Sequence, residues 1–126
     1  MAKKDRVFCV FQCPETEKYL VLLKTKKRKG KKRKWSFVGG KVDKKEHHLA
    51  ALTRETREEI GHQLTAVNLD RELRDINHSI FMYRARMYTS TRIVLSKEHR
   101  KYRWVTLRQL KLLRLNRPAR IIMENL

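Results

Sequence analysis

The stretch Gly39-Gly40-Lys41-Val42-Asp43-Lys44-Lys45-Glu46-His47-His48-Leu49-Ala50-Ala51-Leu52-Thr53-Arg54-Glu55-Thr56-Arg57-Glu58-Glu59-Ile60-Gly61-His62 decides how this chain folds. It opens on paired glycines. Leu49, Leu52, Thr53, Thr56 and Ile60 then recur at three- and four-residue spacing, which predicts a helix over about residues 46–60 with one core-facing stripe. Glu46 stands near the helix start, where the helix dipole favours an acid. Gly61 occupies the place where a left-handed residue ends a helix. Glu55, Glu58 and Glu59 lie at i, i+3 and i+4, so their side chains share a face about 100° wide beside the apolar stripe. Like charges at that spacing cost an exposed helix a few tenths of a kcal/mol, and partial burial adds to the cost or raises a pKa. A divalent cation removes this penalty, and crowded hard oxygens suit Mg²⁺ or Mn²⁺. Arg54 is four residues before Glu58 and placed to steady it. The helix alone is equally compatible with a surface helix whose glutamates are matched by Arg54 and Arg57.

Around this acidic stretch the chain is strongly basic. Its 126 residues carry 32 Lys and Arg against 13 Asp and Glu, a formal charge of +19 that favours polyanionic partners: nucleotides, nucleic acid or an anionic membrane surface. The length suits one domain. No apolar run approaches the roughly 18 residues that span a bilayer, and the start MAKKDRVF has no signal-peptide core. Cys9 and Cys13 lack the second half of a zinc site and read as reduced thiols in or beside a strand. These features predict a cytoplasmic protein, or a nuclear one in a eukaryotic host, given the basic run at residues 26–34.

The rest of the chain supplies strands. Val7–Phe11 and Tyr19–Leu23 are apolar runs expected to form a hairpin. Lys26–Lys34, with eight cations in nine residues, repels itself and reads as an irregular loop. Either it is a solvated hairpin tip, or it guides phosphates or a nucleic-acid backbone. Trp35–Val38 is a strand delivering the glycine turn. Residues 64–76 alternate loosely as one or two strands, Ile80–Tyr88 alternates clearly, and Ile93–Leu95 is a candidate strand end. Tyr102–Val105 is the last strand. Thr106 is placed to cap a helix over Leu107–Leu115, and Pro118 to begin a last one over Ala119–Asn125. This order predicts an α/β fold, a mixed sheet with helices against its faces.

Read from Gly40, the opening stretch fits G-x5-E-x7-R-E-U-x-E-E-x-G-U, with Glu46, Arg54, Glu55, Glu58, Glu59 and Gly61 in register. That pattern is the Nudix box, and the chain resembles the small MutT-like Nudix hydrolases. His62 stands where an aliphatic residue is usual, and Val38 where a proline commonly precedes the glycines. Neither departure removes a metal ligand. Glu98-His99-x-x-Tyr102-x-Trp104 is similar to the ExHxxYxW segment of many of these enzymes. The resemblance implies a single Nudix domain over residues 1–126, an α/β/α sandwich around a central mixed β-sheet. It also implies hydrolysis of a nucleoside diphosphate linked to another group X, with Mg²⁺ or Mn²⁺ as cofactor. By position, Glu55, Glu58, Glu59 and the Gly40 carbonyl would hold the metal and Arg54 would orient the glutamates. Gly39, Glu46 and Gly61 would fix the loop–helix geometry. Glu98 would complete a metal site or act as general base, unless it merely pairs with Arg100 or Lys101. The base is one of Glu55, Glu59 and Glu98.

Substrate markers are sparser. Asn77 stands where many ADP-ribose hydrolases have proline, and residues 77–79 lack the tyrosine of dinucleoside polyphosphate hydrolases. Asn116 resembles the asparagine with which MutT-like enzymes read a purine edge, although a helix-breaking turn explains it equally well. Lys41, Arg84 and Trp35 are further candidate substrate contacts, the last also a candidate core residue. Three readings follow: a pyrophosphohydrolase of free (d)NTPs or related nucleotides, an RNA 5′-end hydrolase gripping its substrate through the Lys26–Lys34 loop, or a non-catalytic nucleic-acid-binding module. Nothing in the sequence indicates an oligomeric state.

Overall fold

Phe37 is where the chain crosses from one wing of the sheet to the other. The computed structural model describes residues 4–126. Its strands are β1 (Arg6–Gln12), β2 (Tyr19–Lys24), β3 (Trp35–Ser36), β4 (Val38–Lys41), β5 (Asn68–Arg74), β6 (Ser79–Arg86) and β7 (His99–Val105). The helices are α1 (His48–Ile60), α2 (Leu107–Leu112) and α3 (Arg117–Met123). One edge of β1 takes β6 in parallel, from Arg6↔Ile80 to Gln12↔Arg86. The other edge takes β4 antiparallel, from Arg6↔Lys41 to Cys9↔Val38. β2 carries β3 on one side and β7 on the other. The expected Trp35–Val38 strand is thus two strands: β3 belongs with β2, and β4 crosses to β1. The buried Phe37 ring anchors the step between them.

Residue alternation explains why both faces of the sheet are covered. In β1, Phe8 and Val10 point into one core with Trp35, Phe37, Met82, Leu110 and Ile122. Val7, Cys9 and Phe11 point into the other with Leu20, Leu22, Ala51, Leu52 and Ile60. A strand apolar on both faces belongs between two layers. Helix α1 covers one face and the C-terminal helices the other, which is the α/β/α sandwich of the Nudix fold.

Several local expectations need correction. β1 and β2 pair only at Gln12↔Tyr19, so the hairpin splays at once into two wings of the sheet. α1 begins at His48 rather than near residue 46, and it is rotated: Ala51, Leu52, Thr56, Glu59 and Ile60 are buried, while Leu49 is exposed. Residues 64–76 yield one strand, β5, a charged edge strand of the kind that resists further pairing. Ile93–Leu95 is not a strand; Val94 N–H donates to the Ile60 carbonyl and Ser96 N–H to that of Glu59, which docks this loop on the end of α1. β7 starts three residues earlier than expected, at His99. α2 stops at Leu112, whereas α3 starts at Arg117 and ends at Met123. Thr106 caps α2 through a reciprocal capping box with Gln109. Both cysteines are free and buried. No helix among the described residues is long and apolar enough to cross a membrane.

Candidate active site

The end of β4 and the last two turns of α1 build the site. Gly39 has φ of 151°, and a Cβ there would stand 2.0 Å from the Val7 carbonyl oxygen, so only glycine fits. Its N–H donates to Glu59 Oε1 at 2.9 Å. A Cβ on Gly40 would meet the Glu55 carboxylate at 2.9 Å, so this backbone lies directly against that side chain. At the other end Gly61, left-handed at φ 65°, closes α1 with its N–H on the Arg57 carbonyl.

Arg54 is the hub of one half of the site. Its Nε and Nη2 donate to the two oxygens of Glu46 at 2.9 and 3.1 Å. Nη1 reaches Glu55 Oε1 at 2.9 Å and Glu58 Oε2 at 3.4 Å, and Nη2 also reaches the Lys41 carbonyl at 3.1 Å. A planar guanidinium with five donors can hold this set; a lysine could not. Glu46 therefore sits in the loop before α1, tied to Arg54 and to the Asp43 N–H, and not in the first turn of the helix. Its hydrogen bonds to Arg54 lower its pKa, and the same bonds raise that of Arg54.

The three helical glutamates differ in environment. The Glu58 side chain is 58 % exposed and that of Glu55 14 %, while Glu59 is 3 % exposed and inside the protein. Burial raises the Glu55 carboxyl, against the pull of Arg54. Burial pushes the Glu59 carboxyl up to about 8, with the Gly39 N–H pulling the other way and Glu55 adding repulsion. Glu59 faces Glu98 and His99, and one ligand atom from each of the three lies within 4.8 Å of the others. Glu98 makes no ion pair among the described residues; its carbonyl accepts from the Thr25 N–H, which fixes the segment against the end of β2. His99 is 3 % exposed, and neither ring nitrogen has a hydrogen-bond partner among the described residues. Burial, with the nearby Lys24 cation, lowers its pKa to about 4, so the ring is neutral at pH 7.

These residues fit a divalent cation. Oxygen donors converge, and among the described residues the buried carboxylate has no cationic side-chain partner within ion-pair distance and two imidazole nitrogens beside it are orphaned. Sequence reasoning singled out every one of these residues except His99. That histidine stands in the Glu98–Trp104 segment, where residue type and spacing alone assign it no role.

The candidate substrate contacts are dispersed. Asn116 caps α3, its Oδ1 accepting from the Ala119 N–H at 3.0 Å. It also lines a cavity of about 400 Å³ with Lys24, Lys27, Arg28, Lys32 and Arg114. Lys24 therefore joins the basic cavity to the Glu59 cluster. Trp35 is built into the core, with Lys101 Nζ 5.9 Å and the Arg103 guanidinium carbon 5.7 Å from its ring centroid. Arg84 is tied to Asp70 at 2.7 Å and lines a different cavity with Gln12, Cys13 and Asn68. Lys41 is exposed at the end of β4.

No curated protein matches the chain by sequence. Among solved structures, the MutT NUDIX hydrolase from Burkholderia pseudomallei is similar at 24 % identity and a TM-score of 0.75, covering 95 % of this chain and 96 % of that one. The E. coli dihydroneopterin triphosphate pyrophosphohydrolase is similar at 17 % and 0.77, covering 99 % and 97 %. A C. elegans Ap4A hydrolase is similar at 20 % and 0.71, covering 86 % and 84 %. The sequence matches the NUDIX domain over residues 3–126; the chain belongs to that family and is a Nudix hydrolase, an enzyme acting on phosphoric anhydride bonds.

Proposed function

We propose that this enzyme is a pyrophosphohydrolase that cleaves the diphosphate linkage of nucleoside diphosphate-X compounds, with (d)NTPs or related nucleotides as its principal substrates. The observation that carries the reading is Glu59: a buried carboxylate fixed by the Gly39 N–H, one turn from glutamates held by Arg54. Bound at these carboxylates, Mg²⁺ or Mn²⁺ supplies neutralisation of the diphosphate charge and a lowered pKa for attacking water. The chain's own residues do the rest. Arg54 holds Glu55 and Glu58 at one angle, so the ligand set needs little reorganisation. Glu59 or Glu98 accepts the proton from the attacking water. Lys24 places a cation at the edge of the cluster, where the departing phosphate gathers charge. Relatives named for a MutT activity and for a triphosphate substrate support a nucleotide with more than one phosphate.

A second reading has its own observation. The cavity of about 400 Å³ lined by Lys24, Lys27, Arg28, Lys32, Arg114 and Asn116 offers more positive charge than a single nucleotide needs. This favours an RNA 5′ end held through the Lys26–Lys34 loop. Turnover of a nucleotide panel and of 5′-triphosphate RNA, at two salt concentrations, separates the two. Free nucleotides turned over faster than RNA support the first reading. RNA activity that dominates and falls steeply with salt supports the second.

A further inference from the structure

The geometry points to His99 as a nitrogen ligand of a divalent cation shared with Glu59 and Glu98, which makes this a mixed nitrogen–oxygen site that prefers Mn²⁺ to Mg²⁺. The inference rests on the reading of Glu59 given above and extends it to a residue outside the glutamate motif.

Three elements bring the donors together. Glu59 comes from the last turn of α1, His99 opens β7, and Glu98 precedes it. The Ser96 N–H bond to the Glu59 carbonyl and the Thr25 N–H bond to the Glu98 carbonyl hold the segment in place, and the Lys24↔His99 pairing sets the start of β7. The donor atoms lie within 4.8 Å of one another. Ligands on one cation with bonds near 2.1 Å stand roughly 3 to 4.2 Å apart, so side-chain shifts that draw a pair of donors together by up to about 1.8 Å close the site.

Burial without a partner is the second, independent observation. Polar atoms inside proteins are nearly always hydrogen-bonded, and each exception needs a reason. Both nitrogens of His99 are exceptions. Lys24, the cation opposite on β2, donates only and gives an imidazole N–H nothing to bond. A metal bond at one nitrogen removes the first deficit. A water or phosphate oxygen accepting from the other removes the second, as is usual for metal-bound histidine. Imidazole is a borderline donor that raises affinity for Mn²⁺ and later transition metals more than for Mg²⁺, which keeps to oxygen.

The test is pulsed electron paramagnetic resonance of Mn²⁺ bound to the full chain, alongside Mn²⁺ and Mg²⁺ affinities from calorimetry. The expected result is a coupling from directly coordinated ¹⁴N that becomes a ¹⁵N pattern when histidine is ¹⁵N-labelled and disappears in His99→Gln. The same variant should bind Mn²⁺ roughly 10-fold more weakly, with Mg²⁺ affinity altered about twofold or less. Labelling the parent chain reads out the nitrogen even if His99→Gln fails to fold. Mn²⁺ bound with no coordinated nitrogen, or with a nitrogen signal that survives His99→Gln, overturns the assignment of His99 and leaves the reading of Glu59 standing. Unchanged Mn²⁺ affinity in Glu59→Gln overturns both.

Discussion

Glu55 and Glu59 are one turn apart on the same helix, and the protein treats them in opposite ways. Glu55 is held by Arg54, which also ties Glu46 and Glu58, so its charge is matched by the protein's own cation. Glu59 has the Gly39 N–H and, among the described residues, no cationic side chain in ion-pair contact, although it is the more buried of the two. A carboxylate paired in this way has its orientation and an electrostatic partner already supplied. A buried, unpaired one is a cost that persists only where a ligand or a reaction uses it. The difference supports the proposed roles, Glu59 as the chemical centre and the Arg54 hub as its frame.

The comparison breaks most sharply at Glu59 itself. Glu59→Gln keeps the shape and still accepts from the Gly39 N–H, so it should melt in chelator no lower than the parent, yet lose roughly 10²–10⁴-fold in turnover. Steady-state kinetics beside thermal melts check both halves. Gly39→Ala attacks the support of Glu59: its Cβ falls 2.0 Å from the Val7 carbonyl oxygen at a φ of 151°, and we expect a loss of about 3 kcal/mol in denaturant unfolding. On the other side, Arg54→Gln should lower metal affinity and activity by roughly 10–100-fold while the fold persists, because it frees the frame and leaves the centre in place. Arg54→Lys should rescue little of this, since an ammonium cannot reproduce the fork.

A smaller effect tests an ion pair far from the site. Asp75 accepts three hydrogen bonds from Arg117 and one from the Ile76 N–H, which ties the β5–β6 turn to α3. The Arg117 bonds hold its carboxyl down at about 2, against an ordinary value of 3.8. A depressed carboxylate stabilises the fold above its unfolded pKa and loses that contribution as pH falls through the folded one. Asp75→Asn should therefore be less stable than the parent at pH 5–7, with the gap closing as pH drops from about 4 towards 2. Thermal melts across that range give the answer, and a gap independent of pH would contradict it.

The sequence was most legible where residue type and spacing are forced. Gly39, Gly61 and the i, i+3, i+4 glutamates must be where they are, because a Cβ clash, a left-handed cap and a shared helical face leave no alternative. Spacing pointed to the Arg54–Glu58 contact alone, the longest hydrogen bond in the hub at 3.4 Å, and not to the tie with Glu46 across the loop. What could not be read was set by tertiary context. Phe37 lies in the strand-like run Trp35–Val38, and only the pairing of β1 with β4 reveals that the chain changes partner strand there. Leu49 fits the helical stripe, but the tilt of α1 on the sheet turns Ala51 and Glu59 inward instead. His99 sits in the charged run Lys97-Glu98-His99-Arg100-Lys101, which gives no hint of a buried strand residue. Its burial comes from β7 pairing with β2 beneath α1.

The most direct test of the central claim is product analysis by ³¹P nuclear magnetic resonance on the purified chain, with a nucleoside triphosphate panel and 5′-triphosphate RNA, with Mg²⁺ or Mn²⁺ and again in chelator. The account predicts cleavage within the phosphate chain that requires the metal and vanishes in Glu59→Gln. Hydrolysis that continues in chelator, or that Glu59→Gln performs as fast as the parent, would contradict it.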